Sequence, residues 1–217
     1  MVVWMARANS DSKTKFLDAA LGVIRAKGYE ATTVDDICEA AGLTKGSFFH
    51  HFESKEALAL AAADHFAAMA ESAFAAAPYR AAADPLERVL GYVDFRASIM
   101  RGELPDFTCL LGMMVQETYE THPAIRKACD RHISDHAKTV ARDIAEAKRR
   151  HAPRAPWDPE SMALFTQAVI HGAFILAKAK HGPEVAVECL THLRRYLETQ
   201  LTPTEPKTNP KRRHAHG

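Results

Sequence analysis

Lys45, Ser47, His50 and His51 fall within seven residues; each can donate a hydrogen bond and none is acidic. Donors grouped this way on one short helix suit phosphate oxygens and the acceptor edges of bases. A generic helical hairpin would place Glu and Lys pairs on such a face. Two other groups could carry different chemistry. Cys109 opens an expected helix, where the N-terminus favours a thiolate. His132 and His136 lie four apart, with Asp130 and Asp135 nearby, which is a spacing that can hold a metal. Twelve histidines in the chain make a solvated surface pair the expected reading there. A carboxylate metalloenzyme bundle needs Glu-x-x-His repeats on two helices, and none is present. Gly-rich phosphate loops and Gly-x-Ser-x-Gly elbows are also missing, so no enzyme activity, metal or cofactor is expected.

The donors must be positioned by the segment from Ala31 to Leu58. Thr33 can cap a short helix, with Asp36 three residues on as a weaker stand-in for the usual Glu or Gln. Gly42 can end that helix with a positive φ. Thr44 can cap a second helix from Lys45 to about His51, and Ser54 a third. Ile37, Ala41, Leu43 and Phe48 are spaced to meet between the first two, with Cys38 and Ala41 small enough for close approach. Two helices of about two turns joined by a glycine turn read as a helix-turn-helix, whose second helix enters the DNA major groove.

Composition fits a packed helical protein. The chain has 217 residues, 47% of them hydrophobic and 8% aromatic, enough for one large or two small domains. No uninterrupted apolar run reaches about 18 residues, so no membrane partner is expected, and Val2 to Met5 is too short for a signal-peptide core. Met5 is an alternative start. The four cysteines show no paired spacing, which points to a reducing cytoplasm rather than disulfides or zinc. The formal charge is only +1, and residues 1–55 hold seven bases against seven acids. Affinity for DNA must therefore rest on charge placement. The Lys207–Arg213 stretch reads as a solvated basic tail.

Periodicity predicts helix throughout: 12–27, 55–76, one opened by Asp84 and Pro85, 109–120, 123–149, 159–180 and 184–201, with a loop at 102–106. The fold class is all-α. The expected organisation is a flexible N-terminus (1–11), a three-helix helix-turn-helix domain (12–58), a larger ligand-binding and dimerisation domain (59–201) and a disordered tail (202–217). In 159–180, Met162, Phe165, Val169, Gly172 and Leu176 form one stripe, and Leu164, Ala168, His171 and Ile175 a second. In 184–201, Ala186, Leu190, Leu193, Leu197 and Leu201 form a single stripe. A helix with two apolar stripes must bury two faces.

The segment Gly42-Leu-Thr-Lys-Gly-Ser-Phe-Phe-His-His-Phe-Glu-Ser-Lys-Glu-Ala-Leu58, with Gly28-Tyr-Glu-Ala-Thr-Thr-Val34 before it, resembles the DNA-binding domain of the TetR family of transcriptional regulators. The close resemblance covers about residues 12–60. It implies a repressor that a small ligand releases from a palindromic operator. The DNA-contacting set it implies is Thr33, Thr44, Lys45, Gly46, Ser47, Phe49, His50, His51 and Lys55. Lys45, Ser47 and His50 are expected at base edges, and Thr33, His51 and Lys55 at phosphates. The family usually has Tyr where this chain has Phe49, leaving that ring to pack or to touch a thymine methyl.

The resemblance also implies a homodimer paired through a four-helix bundle of the last two helices. The expected interface is Phe165, Val169, Gly172, Leu176, Leu190, Leu193 and Leu197. It further implies an effector pocket among the middle helices. The expected lining is Phe66, Met69, Phe95, Ile99, Cys109, Met113, Gln116, Glu117, His171 and Phe174, with Met114 and Tyr119 as further candidates. Ligand binding would spread the helix that starts near Lys55 and so shift the recognition helices apart. Sensing of electrophiles or oxidants through Cys109 is the alternative.

Overall fold

The computed structural model describes residues 11–202. Residues 1–10 of the expected flexible N-terminus, the alternative start at Met5 and nearly all of the basic tail lie outside them, while Asp11 caps the first helix. Among the described residues the secondary structure is helical: α1 (Ser12–Lys27), α2 (Val34–Ala41), α3 (Lys45–His51), α4 (Lys55–Ala75), a 3-10 turn (Pro78–Ala81), α5 (Pro85–Ser98), α6 (Leu104–Phe107), α7 (Leu110–Thr118), α8 (Pro123–His151), α9 (Pro159–Lys180) and α10 (Glu184–Leu201).

The helix ends follow from local chemistry. Thr33 Oγ1 accepts from the Asp36 amide, and the Asp36 carboxylate accepts in return from the Thr33 amide at 2.7 Å. The box is therefore complete with Asp, whose carboxylate also pairs with Lys27 at 2.6 Å. Those bonds hold the Asp36 carboxyl well below the usual range. Gly42 has φ +64 and donates back to α2. Thr44, Ser54 and Asp84 each cap the helix that follows. The expected loop at 102–106 instead contains a single helical turn, α6. Glu103 and Asp106 close a capping box around it, and Pro105 sits in its first turn, where a missing N–H costs nothing. Cys109 is the N-cap of α7 rather than its first helical residue.

Two cores form. In the N-terminal one, Phe16 meets Phe48 and Phe52 edge to face, Phe16 and Phe48 at 5.5 Å between centroids, and Phe48 and Phe52 are tilted against each other, around Ile24, Ile37 and Leu58. The boundary expected at residue 58 is not a break in packing. α4 runs straight through it, and Leu110, Met114, Ile125 and Cys129 of α7 and α8 complete this first core. Burial pushes the Cys129 thiol up to about 12, so it acts as a small apolar residue. The second core joins α5, α8, α9 and α10.

α1 is locked to α7 at one close approach. Gly28 has φ +94, and a Cβ there would lie 2.4 Å from Glu117 Oε1. The Glu117 carboxylate accepts from the Glu30 amide at 2.9 Å. The Tyr29 ring meets His122 edge to face.

α9 corrects the hydropathy expectation. An 18-residue window within it reaches a mean hydropathy of 1.4, enough by length and composition for a membrane span. Its inner face, including Met162, Ile170, Ala173, Phe174 and Ala177, is instead part of the second core.

Candidate DNA-reading helix and effector cavity

α3 buries a single side chain, Phe48, which pins it to α1. Lys45, Gly46, Phe49 and His50 are left exposed, and Ser47 is half-buried. Phe49 is 57% exposed even though its edge meets Phe48. An aromatic ring held in water on a helix of donors fits contact with a thymine methyl. Lys45 pairs with Asp35 of α2 at 2.9 Å, which raises the lysine's pKa. Thr33 and Thr44 are exposed, with their hydroxyls already used as caps.

Two expected phosphate ligands are placed differently. Lys55 turns inward. Its Nζ donates to the carbonyls of Tyr29 and Thr32 at 3.0 Å each and lies 4.2 Å from the Tyr29 ring centre. It ties the start of α4 to the α1–α2 turn. His51 turns towards α1, with Nε2 2.6 Å from Ser12 Oγ.

A cavity of about 1000 Å³ lies between α4, α5, α8 and α9. Phe66, Phe95, Ile99, Cys109, His171 and Phe174 of the expected lining meet there. Four others do not. Met69 packs against the N-terminal core. Met113, Gln116 and Glu117 line an adjoining cleft of about 270 Å³ that shares Cys109, His171 and Phe174 with the cavity, and Glu117 is engaged at the α1 joint. Met114 is fully buried in the first core, and Tyr119 is 57% exposed.

Polar groups of the cavity wall come from positions the sequence reading left out. The Gln167 amide donates to Tyr92 Oη at 3.1 Å. Tyr92 Oη lies 2.9 Å from His136 Nε2. With the hydroxyl accepting from Gln167, its own proton is directed to the His136 nitrogen. His136 is thus no solvated partner of His132; it is an interior acceptor. His132 pairs with Asp64 at 2.6 Å. No cluster of three potential metal ligands occurs among the described residues. Arg25 of α1 also reaches the wall. It donates to Leu21 and Thr108 carbonyls, lies against Phe66, and burial lowers its pKa.

Burial and the charge of Arg96 hold His136 down to about 3 and His171 to about 4. Both are neutral at physiological pH. In the unfolded chain each would titrate near 6.5. Below that the unfolded state binds more protons, so folding stability is lost as pH falls from about 6.5 towards 3. The slope is up to about 1.4 kcal/mol per pH unit for each histidine. Urea denaturation between pH 7 and 4.5 should therefore show a shallower pH dependence for His136→Asn than for wild type. Equal slopes would show that His136 is not held neutral.

On the far side of α9, Leu164, Phe165, Ala168, Ile175 and Leu176 are exposed, and the Phe165 ring meets Tyr196 of α10 at 5.2 Å. Leu190, Leu193 and Leu197 are not part of this face. They are 0–3% exposed, inside their own chain's core. α10 has one apolar stripe, and the core takes it.

Comparison with known proteins agrees with this geometry. Residues 16–62 match the family of bacterial regulatory proteins of the tetR type, and residues 85–193 match the tetracyclin repressor-like C-terminal domain. The chain belongs to the TetR family. It is a DNA-binding transcriptional regulator, not an enzyme. It is 25% identical over 202 residues to the HTH-type transcriptional repressor DhaR of Mycobacterium sp. (strain GP1), covering 93% of this chain and 98% of that one. A TetR transcriptional regulator from Chloroflexus aurantiacus superposes with a TM-score of 0.77 at 27% identity, covering 87% of this chain and 95% of the other. The regulatory protein TetR from Rhodobacter sphaeroides shares the fold, with a TM-score of 0.77 at 24% identity over 86% and 99% of the two chains.

Within this TetR-family chain, the cavity residues that were missed still left a trace in the sequence. Tyr92 and Arg96 continue the apolar stripe Leu86, Val89, Val93 of α5. His136 continues the stripe Ile125, Cys129, Val140, Ile144 of α8. A polar residue on the buried face of a helix needs an interior partner, and the cavity supplies it.

Proposed function

We propose that this protein is a cytoplasmic repressor that binds a palindromic operator as a homodimer and is released when a small molecule occupies the α4–α9 cavity. The observation that carries the reading is α3. It spends one side chain, Phe48, on the core and leaves Lys45, Phe49 and His50 exposed, where a DNA groove can reach them. The apolar outer face of α9 supports pairing about a twofold axis, and two recognition helices so related match a palindrome. The name of DhaR supports repression as the sign of the response.

Residues 12–58 serve as the DNA-reading unit and residues 59–201 as the effector and dimerisation unit. Arg25 and Thr108 connect them, since both line the cavity and are hydrogen-bonded to each other across the joint. A ligand that seats differently against this wall in the two states shifts the balance between them.

The test is selection of an operator from random DNA, followed by binding titrations at several salt concentrations. Lys45→Ala should weaken the selected site about tenfold and relax base preference. Lys55→Ala should leave the salt slope unchanged and lower thermal stability, because its ammonium serves two backbone carbonyls. Wild-type affinity and selectivity in Lys45→Ala would refute the assignment of α3.

A further inference from the structure

Arg96 of α5 sets the chemistry of the cavity. Its Nε is buried without a hydrogen-bond partner. Its guanidinium lies against the rings of Phe74 and Phe174, at 5.3 and 5.6 Å from their centres. The acidic groups around the cavity are occupied elsewhere. Asp143 pairs with Arg80 and Arg88, Asp106 accepts from the Glu103 amide, Asp135 pairs with Lys138, and Glu71 is exposed. Among the described residues Arg96 has no salt bridge. An N–H donor buried without a partner is costly, and this one lies where a ligand would arrive.

We propose that the effector is an organic monocarboxylate with an apolar body, its carboxylate held by Arg96 and its body seated among Phe66, Phe74, Phe95 and Phe174. This rests on the reading of the cavity as the effector site. A planar guanidinium matches a carboxylate through paired N–H donors. Arg96 is the cation set among the aromatic rings, so it fixes where the anionic end sits. His136 and His171 are neutral and supply dipoles, and Arg25 already donates to the Leu21 and Thr108 carbonyls. Tyr92 and Gln167 offer polar contacts beside the charge, while the rings take the apolar body.

The experiment is calorimetric titration of the full chain with four acids, each paired with its neutral amide: phenylacetate, 4-phenylbutyrate, octanoate and 1-naphthoate. Wild type should bind at least one acid tenfold or more tighter than its amide. Arg96→Gln should lose that preference by weakening the acid alone, and Arg96→Lys should keep part of it. Circular dichroism melting checks that both variants are folded. Equal affinity for acid and amide, or an acid preference that survives in Arg96→Gln, overturns the carboxylate assignment and leaves the cavity reading standing. Failure of every acid to bind at millimolar concentration overturns the assignment as well. Ala70→Trp fills the cavity from α4. If the probes bind that variant as tightly as wild type, the cavity is not their site and the reading beneath the proposal falls too.

Discussion

Phe165→Glu should be monomeric at micromolar concentration and should bind the operator at least about 100-fold more weakly than wild type. Leu164, Phe165, Ile175 and Leu176 lie on one side of α9, each 42–56% exposed. Large apolar side chains gathered on one helix face mark an interaction surface. A carboxylate placed among them in a dimer would be buried without a partner. One half-site contact then has to act alone, and the gain from joining two sites is lost. Light scattering gives the mass and fluorescence anisotropy the affinity. A dimeric Phe165→Glu, or a wild type that is monomeric at micromolar concentration, would refute the interface. Leu193→Arg makes the contrast. Because Leu193 lies in its own chain's core, that variant should misfold rather than dissociate.

Gly28→Ala should cost about 2–4 kcal/mol. Its φ of +94 belongs to glycine, and holding another residue in such a region costs about 1–3 kcal/mol. The new methyl would also strike the Glu117 carboxylate, which is held in place by the Glu30 amide. Glu117→Ala relieves the second effect and not the first. The double variant should therefore be more stable than Gly28→Ala alone, by about 1 kcal/mol, with the backbone strain remaining. Urea denaturation of the four proteins closes the cycle. A cost below about 0.5 kcal/mol for Gly28→Ala would show that the α1–α7 joint is not close-packed there.

The helix boundaries were legible because their caps are local. Thr33 with Asp36, Gly42, Thr44, Ser54 and Asp84 with Pro85 each act within four residues, so the chain alone states them. The outward face of α3 was legible for the same reason, since Phe48 is its one strongly apolar inward position. Long-range partners were not. Lys55 looks like any basic residue at a helix start, and only the fold brings the Tyr29 and Thr32 carbonyls to its ammonium. The stripe of Leu190, Leu193 and Leu197 shows that α10 buries one face, but periodicity does not say against which neighbour. α9 shows two faces to bury, and its exposed side combines residues from both stripes. The cavity was read best where it is apolar. Its polar wall, Tyr92, Arg96, His136 and Gln167, comes from four positions on three helices whose meeting no local pattern records.

α4 has a geometric consequence as a rigid arm. Its 21 residues span about 31 Å at 1.5 Å per residue. Its C-terminal half, at Phe66, Ala70 and Phe74, is cavity wall, and its N-terminal end follows directly from α3. A tilt of about 5° pivoting near Phe74 would sweep the Lys55 end through about 2.5 Å. With two such arms in a dimer moving oppositely, the separation of the recognition helices would change by roughly 5 Å, against a half-site spacing of about 34 Å. A displacement too small to disturb the packing of either core is then enough to take one α3 off its bases.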